Sequence, residues 1–201
     1  MDLFSEEKTI LQLPNAELIY IPNFLNQQNA NHYFELLKSN VDWQHDDITI
    51  YGKTHKQPRL TALYSENKAS YSYSNITMHP TPFTIELLEL KQNIETEAQQ
   101  KFTTALINLY RDGNDSIGWH ADNEKELGKN PVIASLSLGV ARPFHFKHRT
   151  LKEERYKLDL EHGSLLIMKG AMQDYWLHQI AKTKKTIGER INLTFRSIRP
   201  I

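Results

Sequence analysis

At 201 residues the chain is long enough for one domain with its own core. Its 24 Lys and Arg balance 24 Asp and Glu, so any nucleic acid would have to meet a local basic patch rather than a global field. The lack of cysteine excludes disulfides, iron–sulfur clusters, thiolate zinc sites and cysteine nucleophiles.

Residues 1–7 are acidic and have no long apolar run behind them, unlike a signal peptide. No run approaches the ~20 apolar residues of a membrane span. A cytoplasmic protein is expected (nuclear if the source is a eukaryote), monomeric and with no membrane partner. Leu18, Ile19 and Ile21 mark a strand over 16–21 that ends at Pro22. Asn26 can cap a helix whose apolar positions are Ala30, Tyr33, Phe34 and Leu37. Residues 46–51 and 59–64 read as two strands. The connector 52–58, with Gly52, Lys53 and Lys56, reads as a hairpin with an exposed basic tip. Tyr71 and Tyr73 share one face of a short extended run. Thr81 followed by Pro82 predicts a helix start, with Leu87, Leu90, Ile94 and Ala98 on one face of a helix reaching about Phe102. Strands are then predicted at 104–110, 118–120, 132–139, 143–148, 155–160, 164–168, 176–180 and 190–197. The expected fold is mostly β with flanking helices: a single domain with helices and a hairpin region over 1–103 and an eight-stranded double-sheet roll over 104–201.

His120 and Asp122 are two residues apart, so on extended chain both side chains share a face. With the distant His178 they would form a two-histidine, one-carboxylate set. That set suits non-haem Fe(II) and also zinc hydrolases. With nine histidines in the chain, it is weak on its own. Strand 190–196 alternates Ile191, Leu193 and Phe195 with Arg190, Asn192, Thr194 and Arg196. Its polar face points either to water or into the roll. Inside, its arginines would need an anion such as a metal-chelating dicarboxylate. Asn108 and Tyr110 share a strand face and could donate to the same carboxylates.

Together, Asn108-x-Tyr110, His120-x-Asp122, His178 and Arg190-x-Asn192-x-x-x-Arg196 resemble the AlkB family of Fe(II)/2-oxoglutarate-dependent dioxygenases. The resemblance runs from about Ile48 to Arg199 and takes in residues 131–139 and 162–168. Residues 50–53 and 58–59 are most similar to the hairpin of the subgroup that repairs duplex DNA. It implies a double-stranded β-helix (jelly-roll) core. It also implies Fe(II) on His120, Asp122 and His178, with 2-oxoglutarate held by Arg190, Asn108, Tyr110, Asn192 and Arg196. Tyr51, Gly52, Arg59, Tyr71, Tyr73 and Glu124 fall where the family contacts its substrate. Tyr51 matches a finger residue, Tyr73 a base-stacking aromatic and Glu124 an acid near the exocyclic amine. Asn123 departs from the family's usual aspartate or lysine, which leaves base selectivity open.

The implied reaction is oxidative demethylation of 1-methyladenine or 3-methylcytosine in duplex or single-stranded DNA. O2 and 2-oxoglutarate would be consumed, and formaldehyde, succinate and CO2 released. RNA, or a substrate other than nucleic acid, is the alternative. Methylated bases that cannot pair cost less to flip out of the stack. Lys53, Lys56 and Arg59 on one side, and Lys182, Lys184 and Lys185 on the other, are candidates for phosphate contact.

Overall fold

A computed structural model describes residues 8–50, 52–67, 71–73 and 76–198. The first elements are β1 (Thr9–Leu13), β2 (Ala16–Ile21), α1 (Gln27–Asn40), β3 (Asp47–Ile50), β4 (Lys53–Lys56) and β5 (Leu60–Ser65). Next come β6 (Tyr71–Tyr73), β7 (Ile76–Met78), α2 (Ile85–Ala98), β8 (Thr104–Tyr110), β9 (Ile117–His120) and β10 (Ile133–Gly139). The chain continues through β11 (Arg142–His148), β12 (Arg155–Leu160), β13 (Ser164–Gly170), the single-turn α3 (Met172–Tyr175), β14 (Trp176–Ile180) and β15 (Arg190–Arg196).

Seven strands form one antiparallel sheet in the order β1-β2-β13-β10-β15-β8-β5, and four form a second in the order β12-β11-β14-β9. The expected double-sheet roll is therefore present. Its large sheet also recruits β1, β2 and β5 from the N-terminal half.

Both long helices cover the outer face of that sheet. Asn26 caps α1, its side chain accepting from the Asn29 N–H. The second helix begins three residues later than its sequence predicts: Thr84, rather than Thr81, caps it by accepting from the Leu87 N–H. Its predicted face is right, with Leu87, Leu90, Ile94 and Ala98 all buried. They pack in one core with Leu37 of α1 and with Ile107, Leu136, Ile191, Leu193 and Phe195 of the sheet. A second core, including Leu18, Ile133, Phe146, Leu166 and Trp176, fills the space between the sheets.

The hairpin also differs from expectation. Lys53–Lys56 is itself a strand, paired with Asp47–Ile50 around Gly52 at φ +74°, while Leu60–Ser65 pairs with β8 in the large sheet. The chain has been captured by the sheet before residue 60. Arg59 consequently does not share the exposed tip.

Candidate active site

Strand β15 shows why a site forms between the sheets. All seven of its residues are buried. Ile191, Leu193 and Phe195 face the helices. Arg190, Asn192, Thr194 and Arg196 face inward and line a cavity of about 50 Å³. Of the two readings of this alternation, the inward one holds. Arg190 lies opposite Tyr110 of β8, and Asn192 lies opposite Asn108, so the four form one polar floor.

The second sheet supplies the opposing wall. His178 on β14 lies directly across from His120 at the end of β9. Their rings meet edge to face with centroids 4.3 Å apart. Asp122 follows as the chain leaves β9. One donor atom from each of His120, Asp122 and His178 falls within 4.8 Å of the others.

Each donor is in the protonation state a cation requires. The His120 Nδ1 lies 2.8 Å from the Gly118 carbonyl oxygen. A carbonyl only accepts, so Nδ1 carries the proton and Nε2 keeps its lone pair. Burial lowers the pKa of His120 and pushes that of His178 down to about 3, so both imidazoles are neutral. The His178 Nδ1 is buried without a hydrogen-bond partner among the described residues. Burial would raise the Asp122 carboxyl, but Arg196, then His178 and His120, outweigh it and hold it at about 2. Arg196 Nη2 donates to Asp122 Oδ1 over 2.9 Å, which leaves the second carboxylate oxygen for a metal. The Asp122 N–H donates to Gln173 Oε1 at 2.9 Å, fixing the loop that carries the carboxylate. Two neutral imidazoles and one ionised carboxylate, converging beside a cavity, fit a divalent metal with open positions.

Arg190 is 1% exposed, and Nη2 donates to Ser137 Oγ at 2.9 Å. Its Nε and Nη1 are buried without partners among the described residues. Burial lowers its pKa to about 10, so it is still a cation at neutral pH. A buried guanidinium with two unused donors and no carboxylate partner among the described residues calls for an external anion.

The remaining polar floor is prearranged. Asn192 Nδ2 donates to Ser135 Oγ (2.8 Å) and to the Leu136 carbonyl (3.1 Å), while its Oδ1 accepts from Thr194 Oγ1 (3.0 Å). Ser135, Ser137 and Gln173 were not singled out in the sequence. The two serines could have been, because they alternate with Ala134, Leu136 and Leu138 at the same period of two.

Other predicted residues fall at varied distances from this cavity. Arg59 is not among the residues that line the cavity. It is 4% exposed and spends its guanidinium on Asn108 Oδ1 (2.8 Å) and the Ser116 carbonyl (3.2 Å). It braces Asn108 of the cavity floor. Glu124 precedes a short 3-10 turn, Lys125–Leu127, and is half-buried outside the cavity lining. Gly52 is exposed at the hairpin tip. Tyr51 and the side chains of Tyr71 and Tyr73 lie outside the described residues. Lys53, Lys56, Lys182, Lys184 and Lys185 are all exposed at the surface.

Comparisons with known proteins agree with this geometry. The family described as 2OG-Fe(II) oxygenase superfamily matches residues 17–196. Alpha-ketoglutarate-dependent dioxygenase alkB homolog 3 of Bos taurus is 42% identical over 188 residues, 89% of this chain and 65% of the relative. The DNA oxidative demethylase ALKBH2 of Homo sapiens is 34% identical over 179 residues, 84% of this chain and 69% of that one. The chain thus spans about two thirds of the length of these relatives. The solved structure of OsALKBH1 superposes with a TM-score of 0.65 at 19% identity, over 94% of this chain and 99% of that one, a likeness of fold. With its jelly-roll, its cavity and these relatives, the chain belongs to the 2OG-Fe(II) oxygenase superfamily and, within it, to the AlkB family.

Proposed function

We propose that this protein is an Fe(II)/2-oxoglutarate-dependent dioxygenase that oxidatively removes methyl groups from damaged bases in DNA. The observation that carries the reading is one cavity lined by both the His120–Asp122–His178 cluster and the unpaired donors of Arg190. The first is built for a divalent cation and the second for a carboxylate. A 2-oxo dicarboxylic acid joins them, chelating at one end and ion-paired at the other.

Fe(II) would be held by His120, Asp122 and His178. When bound, it supplies the oxidising chemistry by which O2 and 2-oxoglutarate give succinate, CO2 and a hydroxylated N-methyl group, which then leaves as formaldehyde. The protein's own residues perform the positioning. Arg190 offers its charge and its buried unpaired donors to the distal carboxylate, with Ser137 accepting from Nη2 and limiting rotation of the guanidinium. Tyr110, Asn108 and Asn192 bound the space between the two ends. Arg196 keeps Asp122 ionised and oriented. Leu106, Ile117, Phe144 and Ile180 supply apolar wall that limits water around the reacting carbon.

The substrate assignment draws on the relatives, one of which is named a DNA oxidative demethylase. Lys53 and Lys56 on the hairpin, and Lys182, Lys184 and Lys185 after β14, would meet phosphates on either side of the mouth. Tyr73 and Tyr71 would stack on the flipped base, Tyr51 would fill the gap it leaves, and Glu124 would approach its exocyclic amine. The test is formaldehyde release from 1-methyladenine or 3-methylcytosine in single-stranded DNA, duplex DNA and RNA. Turnover should require both Fe(II) and 2-oxoglutarate and favour a DNA substrate. Loss of turnover in Asp122→Ala is expected; normal turnover in that variant would sink the metal assignment, and a preference for RNA would overturn the substrate.

A further inference from the structure

We infer that Arg142 is a second electrostatic determinant of cosubstrate binding, a positioning residue that acts on the distal carboxylate through Tyr110 and Arg190 without touching the ligand. The inference rests on the reading of this cavity as a 2-oxoglutarate site.

Arg142 opens β11 and is 1% exposed. Its guanidinium donates only to backbone carbonyls: Nη1 to Asp112 (3.2 Å) and Nη2 to Asp115 (3.0 Å) and Ala181 (2.8 Å). Its Nε is buried with no partner, and no carboxylate lies within ion-pair distance of it among the described residues. Burial lowers its pKa. A full positive charge has thus been taken into the interior without a countercharge in contact, which is costly for a purely structural clamp.

Its location gives that charge a use. Asp112 and Asp115 belong to the turn joining β8 to β9, and Ala181 follows β14 directly. One guanidinium therefore ties the strand of Asn108 and Tyr110 to the two strands that carry His120 and His178. The clamp is tight. The Thr183 N–H donates to the Gly113 carbonyl at 2.8 Å, and a Cβ on Gly113 would stand 2.5 Å from the Thr183 carbonyl oxygen.

On its other side Arg142 lies over the Tyr110 ring, with its guanidinium carbon 5.7 Å from the centroid. Arg190 lies 5.2 Å from the same centroid. The ring's negative faces can accommodate both cations. The two guanidinium carbons are consequently at most about 11 Å apart. A dianion at Arg190 meets the field of both. A carboxylate about 4 Å from Arg190 lies at most about 15 Å from Arg142, and unit charges roughly 10–15 Å apart, at an effective dielectric of about 20, interact strongly enough to change affinity on the order of tenfold.

The test measures 2-oxoglutarate binding by calorimetry on the Mn(II)-loaded full chain, without O2. Arg142→Met and Arg142→Gln remove the charge, and the glutamine keeps donors for the carbonyls should the methionine variant fail to fold. Both are expected to raise the 2-oxoglutarate Kd about tenfold while the Mn(II) Kd stays within about twofold. Arg142→Lys, which restores a cation, should recover most of the lost affinity. A purely structural clamp predicts otherwise: parallel loss of Mn(II) and 2-oxoglutarate, with lysine no better than glutamine. Either that pattern or unchanged affinity in all variants overturns the inference. Failure of the wild type to bind 2-oxoglutarate would overturn the reading of the cavity itself, and is seen before any variant is made.

Discussion

Replacing Arg190 with methionine should make the ligand-free protein more stable and leave it unable to respond to 2-oxoglutarate. The magnitude follows from the burial. Taking Arg190 from an ordinary value of 12.5 to about 10 amounts to roughly 3 kcal/mol of penalty on the charged form, at 1.36 kcal/mol per unit. Against this stands the bond to Ser137, worth about 1.5–3 kcal/mol for a charged donor. The substituted methionine would fill much of the same volume without a charge, so the net gain is about 1 kcal/mol. For a chain of this size that raises Tm by about 2–4 °C. The wild type gains about 2.7 kcal/mol when 2-oxoglutarate is present at 100 times its Kd. The variant should show almost none of that gain, because the anion has lost its cationic partner. Thermal unfolding of Mn(II)-loaded protein, with and without 2-oxoglutarate, reads both quantities. A variant that is less stable than wild type by more than about 1 kcal/mol, yet still shifted by 2-oxoglutarate, would refute the reasoning.

Three further outcomes follow from other parts of the structure. Gln173→Leu removes the acceptor for the Asp122 N–H and should weaken Co(II) binding about 10- to 100-fold, as followed by visible absorption, with apolar packing retained. Unaltered Co(II) affinity would show that the loop holds its shape without this bond. Acid stability should depend on Glu95, which is buried despite the cost and accepts from Lys101, Lys91 and the Phe102 N–H. Its folded pKa lies below the ordinary 4.5, so its contribution is complete above about pH 4.5 and is lost as pH falls through the folded value. Glu95→Gln should therefore be the less stable protein at neutral pH, with the gap narrowing below about pH 4 in a urea titration series; a gap independent of pH would rule out the linkage. Removing Lys53 and Lys56 together should lower the magnitude of the salt-dependence slope for DNA binding by about 1–2. An unchanged slope would assign both lysines to solvent, a role already half filled by the Lys56–Asp47 pair at 3.0 Å.

What could be read from the residues, and what could not, divides by the range of the interaction. Helix caps, faces and the eight strands of the roll rest on local pattern, and most appear within a residue or two of their predicted bounds. Thr81 and Thr84 are both residues that cap helices well; Thr84 takes the role because residue 81 is drawn into a bridge with Tyr64. The position of Arg59 has a similar cause. Its neighbours resemble a hairpin, but the pairing of Leu60–Ser65 with β8 brings it against Asn108 of the cavity floor, and pairing partners are not encoded in a strand's own alternation.

The site itself was legible only as a set of residue types. His120, Asp122 and His178 mean little until β9 and β14 are neighbours, and the arginines of β15 mean little until their face is known to be the inner one. Once both are placed, each explains the other. A carboxylate held at about 2 by Arg196 gives the cluster its negative charge, while Arg190 leaves the opposite end of the same cavity positive. A ligand that chelates at one end and carries a carboxylate at the other satisfies both ends at once. A simple monocarboxylate would leave Arg190 buried with its donors unused. The preference for a dicarboxylate is therefore written in the fold itself, as buried donors of Arg190 that a monocarboxylate chelated at the cluster leaves without a partner.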